Sequence, residues 1–438
     1  MIKIRCDAFK AIRQLAVMGI IIAIAALQSS WNPVTARAQS INDVLEQETW
    51  RASLDSSSGI YAFKNSLHDL EIVITPAEIS NESPNLVISK WNNDAGFKIA
   101  LPVSDSLIDI TTAAGTSKLR LSGNNSENLF YVKSANDFEW EIILNEKPAS
   151  NVLTYSFESD NLRFFYQDPD TFEVHKNDWE FGVDIPGSYA LYHSSGKHNQ
   201  FKTGKAFHIY RPRVWNGNGD TVWCDLYIDT VSNALSISIP SSFLADSKYP
   251  IVVDPTFGCT TKGAVGLSIG THNFRHLVNY NDYSEADGDM QTAYICGYKN
   301  TSSAACTTTA AVYSYSSTLG NCQKISTSNK IEITKFAVSP DSAAWFSTPI
   351  SGTLEDNEDY MVSWQGKESC DYCLRICADY TGIWGYERYA DYSAWGTNDN
   401  LAGYSSGSYI CSVYIEYDEG GGPANDPYIR TRKLKRSN

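Results

Sequence analysis

Apolar and polar residues alternate along most of the chain with a period of two. Phe138, Trp140, Ile142 and Leu144 take turns with Glu139 and Glu141, and Leu235, Ile237 and Ile239 take turns with Ser236 and Ser238. That spacing gives a strand one buried and one solvated face. Near the C-terminal end Tyr409, Cys411, Val413, Ile415 and Tyr417 share a face opposite Ser412 and Glu416. Between the runs 207–214 and 222–228 lies Asn216-Gly217-Asn218-Gly219-Asp220, whose residues tolerate positive φ and close a hairpin. A third strand over 234–239 is expected to continue that meander. A helical period is confined to the N-terminal segment and to residues 41–50. Short strands with turn signals between them predict an all-β chain, folded as two antiparallel β-sandwich domains.

The N-terminal segment has a different logic. Lys3, Arg5, Lys10 and Arg13 precede the apolar run 15–27, and Ala36-Arg37-Ala38 follows it. A basic start, a short apolar core and an A-x-A site define a signal peptide over residues 1–38. The core is shorter than the ~20 residues a spanning helix needs, so the expectation is export to the cell surface or beyond, with no stable membrane span.

Cysteine usage divides what remains. Cys224 stands alone between 39 and 255, whereas Cys259, Cys296, Cys306, Cys322, Cys370, Cys373, Cys377 and Cys411 all follow. A change in cysteine density marks a change in how a domain is stabilised, and the prolines at 250 and 255 stiffen the switch. The expected organisation is a β-rich meander or sandwich module over 39–255 and a cysteine-rich, jelly-roll-like sandwich over 256–419. A flexible basic tail, 420–438, completes it. In an exported domain the eight cysteines read as four disulfides of unspecified connectivity, and Cys224 as a buried, inert thiol. The spacing Cys370-x2-Cys373-x3-Cys377 also has the look of a metal site, but no histidine follows His276 to complete one.

Three stretches carry a resemblance. Gly187-Ser188-Tyr189-Ala190-Leu191-Tyr192-His193, Gly204-Lys205-Ala206-Phe207-His208-Ile209-Tyr210-Arg211-Pro212 and Tyr249-Pro250-Ile251-Val252-Val253-Asp254-Pro255-Thr256 resemble an uncharacterised β-rich module of bacterial surface and phage-associated proteins. The second half, with Ala344-Trp345-Phe346 and Leu354-Glu355-Asp356-Asn357-Glu358-Asp359-Tyr360, is similar in outline to the jelly-roll sandwiches of carbohydrate-binding domains. The resemblance implies a surface protein and names no reaction.

Charge narrows the partners. The 438 residues hold 35 Lys and Arg against 50 Asp and Glu, a formal net charge of −15, which argues against nucleic acid. Gly266-Leu267-Ser268-Ile269-Gly270 matches the G-x-S-x-G string of a nucleophile elbow, but the segment after it has no helical period and its histidines, His272 and His276, lie too close. His193 and His208 could meet across neighbouring strands, with Asp184 or Asp225 orienting one of them. Asp282, Glu285, Asp287 and Asp289 offer hard oxygens on one loop, which suits calcium, although the string lacks the regular D-x-D-x-D-G spacing and also reads as a solvated acidic turn; no other cofactor is expected.

The most informative stretch is 384–395. Trp384, Tyr386, Tyr389, Tyr392 and Trp395 are interleaved with Glu387, Arg388 and Asp391, flat apolar faces beside hydrogen-bonding groups, which is what a sugar ring requires. The expected function is that of a secreted, non-catalytic binding or adhesion protein with a polysaccharide or cell-envelope polymer as partner and Trp384, Tyr386, Arg388, Tyr389, Tyr392 and Trp395 as contacts. The competing expectations are a self-associating component of a surface layer or virion-like assembly, and a glycan hydrolase.

Overall fold

Among the described residues, four antiparallel sheets carry the fold, as the period-two pattern predicts. The structure is a computed structural model that describes residues 50–55, 60–75, 83–101, 107–113, 116–123, 125–177, 179–194, 203–258, 262–268, 274–283, 288–302, 305–314, 323–355, 359–368, 373–380, 386–389, 405–406 and 409–419. The first sheet is a meander of five strands, Trp50–Asp55 to Ala95–Ala100, extended by Val152–Asp160, Ala234–Ser238 and Asp225–Asp229. The second runs from Leu162–Tyr166 through Tyr189–His193, Lys205–Ile209, Thr256–Gly258, Asp137–Leu144, Ile251–Asp254 and Arg213–Trp215 to Thr221–Trp223. A three-stranded meander, Leu107–Ala113 to Ser126–Val132, joins it at Asp137–Leu144. These two sheets enclose one core, with Ile72, Phe97, Leu235 and Ile237 from the first meeting Trp140, Leu191, Phe207 and Val253 from the second.

The 216–220 turn forms as expected. Asn216 accepts from the backbone N–H of Asn218 and of Asp220 through its side-chain oxygen, and Gly219 takes φ 88°, which a residue without Cβ adopts at little cost. The meander expected beyond it does not continue in one sheet. Thr221–Trp223 belongs to the second sheet and Asp225–Asp229 to the first, because the chain crosses the sandwich after Cys224, whose N–H bonds the Pro212 carbonyl as the last rung of the pairing between Arg213–Trp215 and Thr221–Trp223. Trp50, placed at the end of a helical period, starts a strand instead, since its neighbours pair with 60–65 and its indole N–H reaches the Ser134 and Ala135 carbonyls. Two short helices, Pro169–His175 and Ser241–Asp246, are additions. The first begins with Asp168 capping the N–H of Asp170 and proline in its first turn, the arrangement that suits a helix start.

The third sheet orders Trp179–Phe181, Val265–Ser268, Leu374–Tyr380, Gly288–Lys299 and Ala344–Pro349, with Thr353–Leu354, Tyr409–Cys411 and Val413–Glu419 paired to its centre. The fourth orders Lys324–Thr327, Cys306–Ser314, Asp359–Glu368, Phe274–Tyr283, Tyr386–Tyr389 and Ser405–Ser406, with Ile331–Glu332 on Cys306–Ser314. They enclose a second core in which Ile295, Ile376 and Val413 meet Val312, Val362 and Trp364.

Elements on either side of Pro255 are interleaved. Thr256–Gly258 completes the second sheet, while Trp179–Phe181 joins the third and Phe172 and Ile185 enter the second core. The Gln167 side chain bonds both the N–H and the carbonyl of Tyr380, substituting for a strand partner. Both strands Tyr189–His193 and Lys205–Ile209 are buried at every residue. Their inner face fills the first core, and on the other face Ala190 and Tyr192 pack with Ile410. Among the described residues no helix is long and apolar enough to cross a membrane.

Candidate functional site

Two places collect chemistry. The first is the buried seam just described. Asp379, wholly buried on Leu374–Tyr380, accepts from the Tyr192 hydroxyl at 2.7 Å and the Ala264 N–H at 3.0 Å. The Lys205 ammonium lies 2.7 Å from its Oδ2 and 3.1 Å from the Lys262 carbonyl. His208 Nδ1 is 3.9 Å from Oδ1, and its Nε2 meets Ser188 Oγ at 2.8 Å. Burial alone would raise the Asp379 carboxyl, but the Lys205 charge, with hydrogen bonds from Lys205 and the Ala264 N–H, holds it below the usual carboxylate range. Burial first and the Lys205 charge second push His208 down to about 3, so its imidazole is neutral.

Ser188, His208 and Asp379 have the residue types of a hydrolytic triad. Their geometry argues otherwise. All three are at most 1% exposed, the His–Asp separation exceeds a hydrogen bond, and the carboxylate is already engaged by Lys205.

The second place is the outward face of the third sheet. On Gly288–Lys299 a bulge beside Met290 puts Ala293 and Ile295 in the core, so Tyr294 falls on the opposite face. Cross-strand pairing sets Tyr294 opposite both Tyr414 and Ser347, and Cys296 opposite Trp345. Tyr294 and Tyr414 stack at 4.5 Å and 8°, and Trp345 meets Tyr414 edge-on at 5.4 Å. All three rings are half-buried. The Tyr294 hydroxyl donates to Glu416 at 2.9 Å, and the exposed Ser347 lies alongside. Burial raises both phenols, so they stay protonated and able to donate. The parity of 409–417 already put position 414 with the polar Ser412 and Glu416, which was the available signal. Trp345, by contrast, is set outward by the pairing of two strands far apart in sequence.

The residues singled out in the sequence are distributed otherwise. Of the aromatic stretch, Tyr386, Arg388 and Tyr389 lie on strand Tyr386–Tyr389, paired with Phe274–Tyr283 near the edge of the fourth sheet, while Trp384, Tyr392 and Trp395 lie outside the described residues. Asp282 sits on a strand opposite Tyr360, and Asp289 is exposed and accepts from Thr353 Oγ1 at 2.9 Å. Glu285 and Asp287 are outside the described residues. Among those residues no three His, Cys, Asp or Glu side chains converge on a metal position.

His193 and His208 do not meet. The register places His208 opposite Ala190, so His193 lies at the far end of the strand pair, where it bonds Asp94 at 2.8 Å. Asp225, one of the two acids expected to orient them, pairs with Arg211 instead. Ser268 ends strand Val265–Ser268, antiparallel to Leu374–Tyr380 and opposite Arg375, whereas a nucleophile elbow needs a turn from a parallel strand into a helix.

Cys373 is disulfide-bonded. Cys296 and Cys377, expected in bridges, stand as thiols on paired strands with sulfurs 3.0 Å apart, the Cys296 thiol donating to Cys377 Sγ. Cys306 and Cys411 are buried in the second core, and Cys259, Cys322 and Cys370 lie outside the described residues. Cys224 is a buried thiol that burial and Asp225 push up to about 12. Iodoacetamide should therefore leave Cys224 unmodified in native protein and alkylate it once the chain is unfolded. Rapid native alkylation would contradict its burial.

No family model matches the chain, and no curated protein matches it. Among solved structures it is similar to a GH43 glycoside hydrolase engineered to display both endo-xylanase and exo-arabinofuranosidase activity, at 7% identity and a TM-score of 0.11, over 74% of this chain and 83% of that one. A likeness at that level carries no argument about this chain.

Proposed function

We propose that the chain is an exported, non-catalytic binding or adhesion protein of the cell surface, and that its ligand is a polysaccharide. The observation that supports this most is the outward platform of Trp345, Tyr414 and Tyr294. Half-exposed rings offer apolar faces to the C–H side of a sugar, and the Glu416 carboxylate and Ser347 hydroxyl stand next to them for its hydroxyls. Rigid sheets hold the rings, so little side-chain order is lost on binding. The stretch 384–395 has the same composition and is the second place where this ligand would stack.

Glycan-array binding of the full chain, followed by titration of Trp345→Ala and Trp395→Ala, tests the proposal. The wild type should bind at least one polysaccharide class, and the variant at the contact site should bind about tenfold to a hundredfold more weakly, with its fold retained. Loss in Trp345→Ala alone supports the platform, and loss in Trp395→Ala alone supports the 384–395 stretch. No glycan binding by the wild type, or full binding by both variants, would overturn the polysaccharide reading.

A further inference from the structure

We propose that Lys205 and Asp379 condense to an intramolecular amide that covalently joins the strand Lys205–Ile209 to the strand Leu374–Tyr380. The inference is independent of the polysaccharide reading and starts from geometry. The amine nitrogen and the carboxylate are 2.7 Å apart with side-chain exposures of 1% and 0%. Two groups fixed in contact react with effective concentrations far above any solution value. Burial supplies the direction. An ion pair out of water carries a desolvation cost for both charges, whereas a neutral amide carries neither. Water is also the product of the condensation, and a site closed to solvent disfavours its return.

The polar atoms around the pair match the amide. An ammonium has three protons to place, yet among the described residues it meets two acceptors, Asp379 and the Lys262 carbonyl. An amide N–H has one, and Lys262 accepts it. The Tyr192 hydroxyl already donates to Oδ2, so it would stabilise negative charge there during attack and then bond the amide carbonyl. His208 supplies the remaining need. Its Nδ1 is buried, has no hydrogen-bond partner and lies 3.9 Å from Oδ1. With Nε2–H donating to Ser188, Nδ1 carries a lone pair able to accept a proton.

The step balances without an oxidant or other co-reactant. The ammonium of Lys205 gives one proton to the Asp379 carboxylate, leaving an amine and a carboxylic acid. The Nζ lone pair forms the Nζ–Cγ bond, and the carbonyl electrons move onto Oδ2 beneath the Tyr192 hydroxyl. The nitrogen then loses a proton to His208 Nδ1. As the Cγ–Oδ1 bond breaks and the carbonyl re-forms, that proton passes to Oδ1, which departs as water. The second nitrogen proton stays as the amide N–H.

Proteolysis of the reduced, denatured full-length protein, followed by mass spectrometry, tests this directly. The expected result is a branched peptide joining Lys205 to Asp379, one water lighter than its two parts. Lys205→Arg and Asp379→Ala should each abolish it. Recovery of both residues only in separate linear peptides from protein shown to be folded would overturn the proposal. His208→Gln addresses the proton carrier: in chain refolded after synthesis, the branched peptide should appear more slowly than in the wild type. Appearance at an unchanged rate would overturn the role given to His208. None of these readouts depends on a glycan.

Discussion

Asp379→Ala should cause one of the largest losses of stability of any single substitution in the chain, read as a fall in the midpoint of denaturant unfolding. Removing the carboxylate leaves the Lys205 ammonium buried beside a lone carbonyl, and takes one acceptor from the Tyr192 hydroxyl and one from the Ala264 N–H. Breaking a buried pair from one side costs about 3–5 kcal/mol. The amide adds to that, because a covalent link closing a loop of this length restricts the unfolded chain by about 5 kcal/mol on the chain-entropy account. The paired variant Lys205→Met with Asp379→Leu separates the contributions. It removes both charges at similar volume, and apolar replacement of a buried ion pair is close to neutral. Full recovery in the paired variant would show that orphaned charge explains the loss, while a persistent deficit measures the link. A loss under about 1 kcal/mol in Asp379→Ala would mean that water reaches the seam.

Period-two alternation finds the face of a strand that enters its own sandwich, and it did so for Trp140, Ile142, Leu235 and Ile237. It treats the other face as solvated. Glu139 alternates with Phe138 and Trp140, yet it is wholly buried, because Thr256 and Lys133 close over it, the Thr256 hydroxyl donating to one oxygen and the Lys133 ammonium pairing with the other. Burial, and the proximity of Asp254, raise that carboxyl to about 9 despite Lys133. Tyr192 is likewise covered by a second sandwich whose arrival no local pattern announces, and Lys205, which shares the parity of Phe207 and Ile209, is set opposite Tyr192 only by a register shift after Leu191. Asp379 was invisible for the same reason, since its partners lie more than a hundred residues upstream. The helix at 169–175 was missed on length: Asp168-Pro169 is a recognisable start, but seven residues are too few to show a 3.6 period. The outward platform was half legible, with Tyr414 on the polar parity of its strand and Trp345 brought beside it by pairing alone.

Trp140→Ala should destabilise the first sandwich by at least about 4 kcal/mol, because two separate losses coincide. The indole is wholly buried, edge-on to Tyr155 at 5.0 Å and stacked with Phe130 at 6.3 Å. Truncating an aromatic ring in such a core removes about 3–5 kcal/mol. Its N–H also donates to Asn128 Oδ1 at 2.9 Å, and Asn128 is itself 2% exposed. An orphaned buried acceptor costs a further ~1–3 kcal/mol. Trp140→Phe keeps most of the ring and removes the donor, so it should show the second loss and only part of the first. Adding Asn128→Leu to Trp140→Phe removes the stranded amide, and the paired variant should then be more stable than Trp140→Phe alone. If Trp140→Ala and Trp140→Phe melt together, packing around the indole is not what holds this sandwich. If Asn128→Leu brings no recovery, the hydrogen bond contributes nothing that the surrounding rings do not already supply.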